Sequence, residues 1–111
     1  VQLVDWLWQY AFEQRASDIH LEPRRDQAVV RFRIDGVLHT VYQIPSGVQA
    51  AMTARIKLLA RMDVVERRRP QDGRIKTRNA QGDEVEMRLS SMPTAFGEKL
   101  VMRIFEPEAV V

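Results

Sequence analysis

Apolar positions at the start of the chain recur with helical spacing. Val4, Leu7, Trp8 and Ala11 fall at i, i+3, i+4 and i+7, which predicts a helix over residues 1–15 with one buried stripe. No capping residue precedes Val1, so the first turn reads as cut from something longer. At Ala16-Ser17 the period changes from helical to alternating. Over residues 18–22, Ile19 and Leu21 face one way and Asp18, His20 and Glu22 the other; over 29–34, Val30, Phe32 and Ile34 alternate with Val29, Arg31 and Arg33. Asp35-Gly36 between apolar runs predicts a two-residue hairpin, because a type I′ turn needs positive φ at both positions. A third strand is expected over Val37–Tyr42.

Pro45-Ser46-Gly47-Val48-Gln49 fits a capping box, with Ser46 as N-cap and Gln49 reaching back. The helix it opens is expected to bury Val48, Met52, Ile56, Leu59 and Ala60 and to end near Met62. After Pro70 the alternation resumes, with Ile75 and Thr77 inward and Arg74, Lys76 and Arg78 outward. A loop over 79–83 containing Gly82 leads to Val85, Met87 and Leu89, which alternate with Glu84, Glu86, Arg88 and Ser90. Residues 92–97 read as an irregular segment, with Met92 and Phe96 covering either a neighbour or their own core. A last strand carries Leu100, Met102 and Ile104. The order αβββαβββ predicts an α+β fold: one mostly antiparallel sheet with helices on one side.

A length of 111 residues suits one domain, and 45% hydrophobic with 29% charged residues suits a folded rather than a disordered chain. The chain holds no cysteine, which excludes disulfide scaffolds, thiol catalysis and cysteine metal sites. No apolar run approaches the ~20 residues of a membrane-spanning helix, and no leader peptide opens the chain, so a cytoplasmic address is expected. Fourteen of the 17 basic residues are Arg, whose planar fork suits carboxylate or phosphate. Residues 61–78 hold seven basic groups against three acidic ones, either a solvated face or an anion-facing patch.

Enzyme motifs are missing. There is no G-x-x-x-x-G-K-[ST], no G-x-G-x-x-G after a strand and no G-x-S-x-G. His20 and His39, the two histidines, have no further ligand at metal-binding spacing, so no metal site is expected. Asp18, His20 and Glu22 share a strand face without a nucleophile nearby and read as surface or interface groups. The positive signal lies in the hairpin over 74–90. A loop over 79–83 sets Arg78 opposite Glu84, Lys76 opposite Glu86 and Arg74 opposite Arg88. The first two pairs support a sheet, while the third is repulsive unless an anion lies between or above the guanidiniums. The alternative is that the two side chains splay into water.

Five ordered stretches then point to a family. They are Ala16-Ser17-Asp18-Ile19-His20-Leu21-Glu22-Pro23, Arg31-Phe32-Arg33-Ile34-Asp35-Gly36-Val37-Leu38, Glu66-Arg67-Arg68-Arg69-Pro70-Gln71-Asp72-Gly73-Arg74, Arg88-Leu89-Ser90-Ser91-Met92-Pro93-Thr94 and Gly97-Glu98-Lys99-Leu100-Val101-Met102-Arg103. From about residue 4 to 107 the chain resembles the domain before the nucleotide-binding core of the ATPases of type II secretion and type IV pilus assembly. The resemblance implies a PAS-like second N-terminal domain over 1–107. A linker to an absent RecA-like ATPase domain would start at 108–111. It also implies a homo-hexamer that hydrolyses ATP with Mg, both bound mainly by the absent domain. The machine sits at the cytoplasmic face of the bacterial inner membrane, where platform proteins are its partners. In the family this domain packs on the ATPase domain of its own or a neighbouring subunit and supplies arginines to the terminal phosphates. Carried over, those are Arg74 and Arg88, with Arg103 in reserve. Asp18, His20, Glu22, Arg31 and Arg33 match an interdomain surface, or else pair within their own sheet. No nucleic acid is expected as a partner. The alternatives are a stand-alone PAS-like sensor with a polar pocket and an anion- or nucleic-acid-binding module. The outward positions around Arg74, Lys76 and Arg78 hold no aromatics for base stacking.

Overall fold

The computed structural model describes residues 2–106. The expected linker start at 108–111 lies outside them. The elements are α1 (Gln2–Glu13), β1 (Asp18–Pro23), β2 (Ala28–Ile34), β3 (Val37–Ile44), α2 (Ser46–Leu59), β4 (Gln71–Arg78), β5 (Glu84–Thr94) and β6 (Gly97–Phe105), so the fold is α+β in the expected order αβββαβββ. All pairings are antiparallel, in the strand order β3-β2-β1-β6-β5-β4. The last hairpin therefore inserts β6 beside β1 and places β4 at the edge far from β3.

The stripe Val4, Leu7, Trp8 and Ala11 is buried as its spacing requires, and the Trp8 Nε1–H donates to Met102 Sδ at 3.4 Å. Ile19, Leu21, Val30, Phe32, Met87, Leu89, Leu100 and Met102 form the sheet side of one core, which also receives Met52 and Ile56 from α2 and Ala60 just past its end. Asp35 and Gly36 adopt φ 51° and 80°, as their turn demands.

Three expectations are corrected. The capping box does not form: Pro45 occupies the N-cap without a side-chain bond. Instead, the Gln49 amide is buried and donates to Thr53 Oγ1 and to the Glu98 carbonyl. The buried face of α2 is also rotated from the expected one, with Gln49, Thr53 and Lys57 inside and Leu59 41% exposed, because Lys57 reaches inward to a carboxylate on β6. The helix ends at Leu59, closed by bonds from Arg61 N–H to the Leu58 carbonyl and from Met62 N–H to the Lys57 carbonyl. Finally, residues 92–97 are not irregular. β5 runs to Thr94, which pairs with Gly97 across a two-residue turn, and the Phe96 ring there is half exposed under the Arg25 guanidinium.

Candidate functional site

Antiparallel partners share a face, so the register fixes what the open face of the sheet presents. One transverse row reads Arg74–Arg88–Arg103–Asp18–Arg33. The expected pairs Arg78↔Glu84, Lys76↔Glu86 and Arg74↔Arg88 are all observed. Arg103 extends the second of the opposed arginines to a third strand, so three guanidinium stems stand side by side at strand spacings of ~4.8 Å. All three residues are exposed. Among the described residues neither Arg74 nor Arg103 makes an ion pair; Arg88 Nε donates to Glu86 Oε2 at 3.2 Å. On one side of this row Ser90 Oγ donates to Asp72 Oδ1 at 3.0 Å. On the other lie Lys76, Glu86 and Phe105.

Like charges placed opposite one another destabilise a sheet, and here the repulsion is only partly relieved from within. Exposed arginines with a common direction, two of them without an ion pair among the described residues, can offer several donors to one anion.

The other predicted group has a different character. Asp18, His20 and Glu22 lie on the central strand β1 and are buried. The His20 Nε2–H donates to Asp18 Oδ2 at 2.6 Å, Ser17 Oγ donates to Asp18 Oδ1 at 2.8 Å, and Arg33 Nε lies 3.4 Å from Asp18 Oδ2. Glu22 gathers Arg24 at 3.0 Å, Lys99 at 3.5 Å and Arg31 at 3.7 Å. Burial pushes the Asp18 carboxyl up, but the bonds from Ser17 and His20 and the His20 and Arg33 charges outweigh it and hold the group below its ordinary value. Glu22 is likewise held low, its burial outweighed by the bond from Arg24 and by Lys99, Arg31 and Arg24. The pairing of these groups within their own sheet is thus realised.

Sequence reasoning missed two features. Lys57 Nζ is buried and donates to Glu98 Oε2 at 2.7 Å and to the Glu66 carbonyl at 2.9 Å, tying α2, β6 and the 60–70 connection together. The signal was the polar stripe Gln49, Thr53, Lys57 at i, i+4, i+8, which patterning assigns to solvent. The second is Phe105, an aromatic on the basic face. Its ring lies beneath the Arg88 guanidinium, 4.7 Å from Cζ to centroid, so that face is not free as a platform for a base. The run Arg67-Arg68-Arg69 is exposed, on a loop held by Gln71, whose side chain bonds Asp63 and Glu66 backbone groups.

The fold is an antiparallel α+β domain whose open sheet face carries a row of exposed arginines. Over residues 1–111 the chain matches the family model described as "Type II/IV secretion system protein", and it belongs to that family as an N-terminal domain. It is 64% identical over 111 residues to the type IV pilus assembly ATPase TfpB of Acinetobacter baylyi, covering 100% of this chain and 19% of the relative. It is 48% identical to the type II secretion system protein E of Xanthomonas campestris pv. campestris over 111 residues, again 100% and 19%. The type IV pilus assembly ATPase PilB of Myxococcus xanthus is 48% identical over 106 residues, 96% of this chain and 19% of that protein. The chain thus spans about a fifth of the length of these relatives. Among the described residues no helix is long and apolar enough to cross a membrane.

Proposed function

We propose that this domain works in trans within a hexameric ATPase of secretion or pilus assembly, delivering Arg74 and Arg88 to the terminal phosphates of ATP–Mg held by a separate RecA-like domain. Arg103 is the third guanidinium of the same surface. The single observation that carries the reading is the row Arg74–Arg88–Arg103: exposed, co-directional and, at Arg74 and Arg103, without an ion pair among the described residues. The names of the relatives, which are ATPases of pilus assembly, support it.

In this reading the domain contributes charge but no nucleophile, and it carries no Walker loop of its own. The chemistry of phosphoryl transfer asks for little else, since the transferring group spreads charge over its equatorial oxygens and an arginine there is worth up to ~10³–10⁵ in rate. Because the arginines and the phosphate-binding loop ride on different domains, the site is complete only when the two close. Loss of the γ-phosphate removes the anion that offset the Arg74–Arg88 repulsion, which favours reopening. Arg31 and Arg33 extend the basic surface toward β3. Asp18 holds Arg33 and Glu22 holds Arg31 from within, with His20 between the two carboxylates, while the ATPase domain covers them. Association with platform proteins at the inner membrane is the setting this implies.

Steady-state ATP hydrolysis by the full-length protein tests the reading. Arg74→Ala and Arg88→Ala are each expected to lower kcat at least about tenfold with the oligomer intact. Wild-type turnover in both would overturn it.

A further inference from the structure

The two opposed arginines are not held alike. Arg74 extends from the edge strand β4 and, among the described residues, meets neither a carboxylate nor a ring. Arg88 is fixed twice. Its Nε is engaged by Glu86 Oε2 at 3.2 Å, and its guanidinium carbon lies over the Phe105 ring, 4.7 Å from the centroid. Glu86 and Phe105 are themselves ladder partners, so the carboxylate and the ring form one unit beside the arginine row.

The geometry has a chemical consequence. With Nε occupied, the two terminal nitrogens of Arg88 remain, and these are the pair that grips two oxygens of one phosphate. The ring removes the freedom to rotate that fork away, at a residue whose side chain is otherwise 65% exposed. Phe105 closes β6 and is itself 40% exposed, so its ring is not spent on filling the core.

We propose that Phe105 is a positioning residue for Arg88: with Glu86 it pre-sets the guanidinium so that its terminal fork faces the phosphate before ATP arrives. This rests on the reading in which Arg88 meets the terminal phosphates. Arg74 is then the arginine that adjusts, and Arg88 the one that is fixed.

The test is a double-mutant cycle on ATP hydrolysis by the full-length protein, with kcat and KM measured separately and the thermal midpoint recorded for each variant. Phe105→Leu retains apolar bulk and loses the π face; it is expected to lower kcat about three- to tenfold with KM within about twofold. Phe105→Tyr keeps the face and is expected to restore turnover. In an Arg88→Ala background, Phe105→Leu should have no further effect. Should Phe105→Leu prove poorly folded, Phe105→Ile, suited to a strand, takes its place in the same cycle. Wild-type turnover in Arg88→Ala sinks the functional reading and this inference with it. A slow Arg88→Ala beside a wild-type Phe105→Leu sinks the inference alone. So does a loss that adds to that of Arg88→Ala, or one that Tyr does not rescue, since both describe a structural ring.

Discussion

Lys57 and Glu98 form an ion pair of 2.7 Å between α2 and β6, with the lysine side chain 1% and the glutamate 10% exposed. The lysine amine also caps the Glu66 carbonyl, and the Glu98 backbone accepts from Gln49. One buried cation therefore sets the rotation of α2, the path of the chain into β4 and the start of β6.

Removing one member of such a pair leaves the other charge stranded in a poor solvent. Lys57→Ala is expected to cost about 3–5 kcal/mol, and Lys57→Met with Glu98→Leu to recover at least half of that, because the two desolvated charges then disappear together. Urea unfolding reads both numbers. A loss below about 1 kcal/mol for Lys57→Ala would mean that the pair is hydrated and does not fix the helix.

Stability should also depend on pH through β1. The carboxyls of Asp18 and Glu22 are held below their ordinary values of 3.8 and 4.5 in the folded chain. The unfolded chain therefore takes up protons first as pH falls. The stabilisation is fully present above those ordinary values and is lost as pH drops through the lower folded ones. Through these two carboxyls, denaturant midpoints are expected to decline below about pH 4.5, with a shallower decline in Asp18→Asn. Equal acid slopes in the two proteins would remove Asp18 from the account.

Much of this organisation is legible in the chain itself. Alternation gives the correct face for Ile19, Phe32, Met87 and Met102, and counting outward from the 79–83 loop gives the Arg74↔Arg88 register, because a strand period of two leaves no freedom once the turn is placed. The extension to Arg103 needed the neighbour of β5, which pairing within one hairpin cannot supply. The rotation of α2 was illegible for a different reason. A lysine on a helix is read as solvated, and only its distant partner Glu98 makes the inward orientation favourable. Helix ends were obscured in the same way. Arg15 and Arg61 adopt φ 58° and 59° at the two helix C-termini, where patterning looks for glycine.

Gly73 shows that a motif glycine can serve packing as well as chemistry. It belongs to one of the stretches that carry the family resemblance, and a Cβ there would stand 2.9 Å from Met62 Cγ, 3.0 Å from its Sδ and 3.1 Å from the Ala60 Cβ. The residue lets β4 lie directly against the chain leaving α2, and so sets where Arg74 emerges. Gly73→Ala is expected to destabilise by about 1–2 kcal/mol, although alanine normally favours a strand over glycine by about 0.5–1 kcal/mol. In a Met62→Ala background the same methyl enters vacated space, so the sign should reverse and Gly73→Ala should become neutral or stabilising. The two unfolding measurements decide between a steric and a conformational role: a loss of the same size in both backgrounds would exclude the contact with Met62 as its cause.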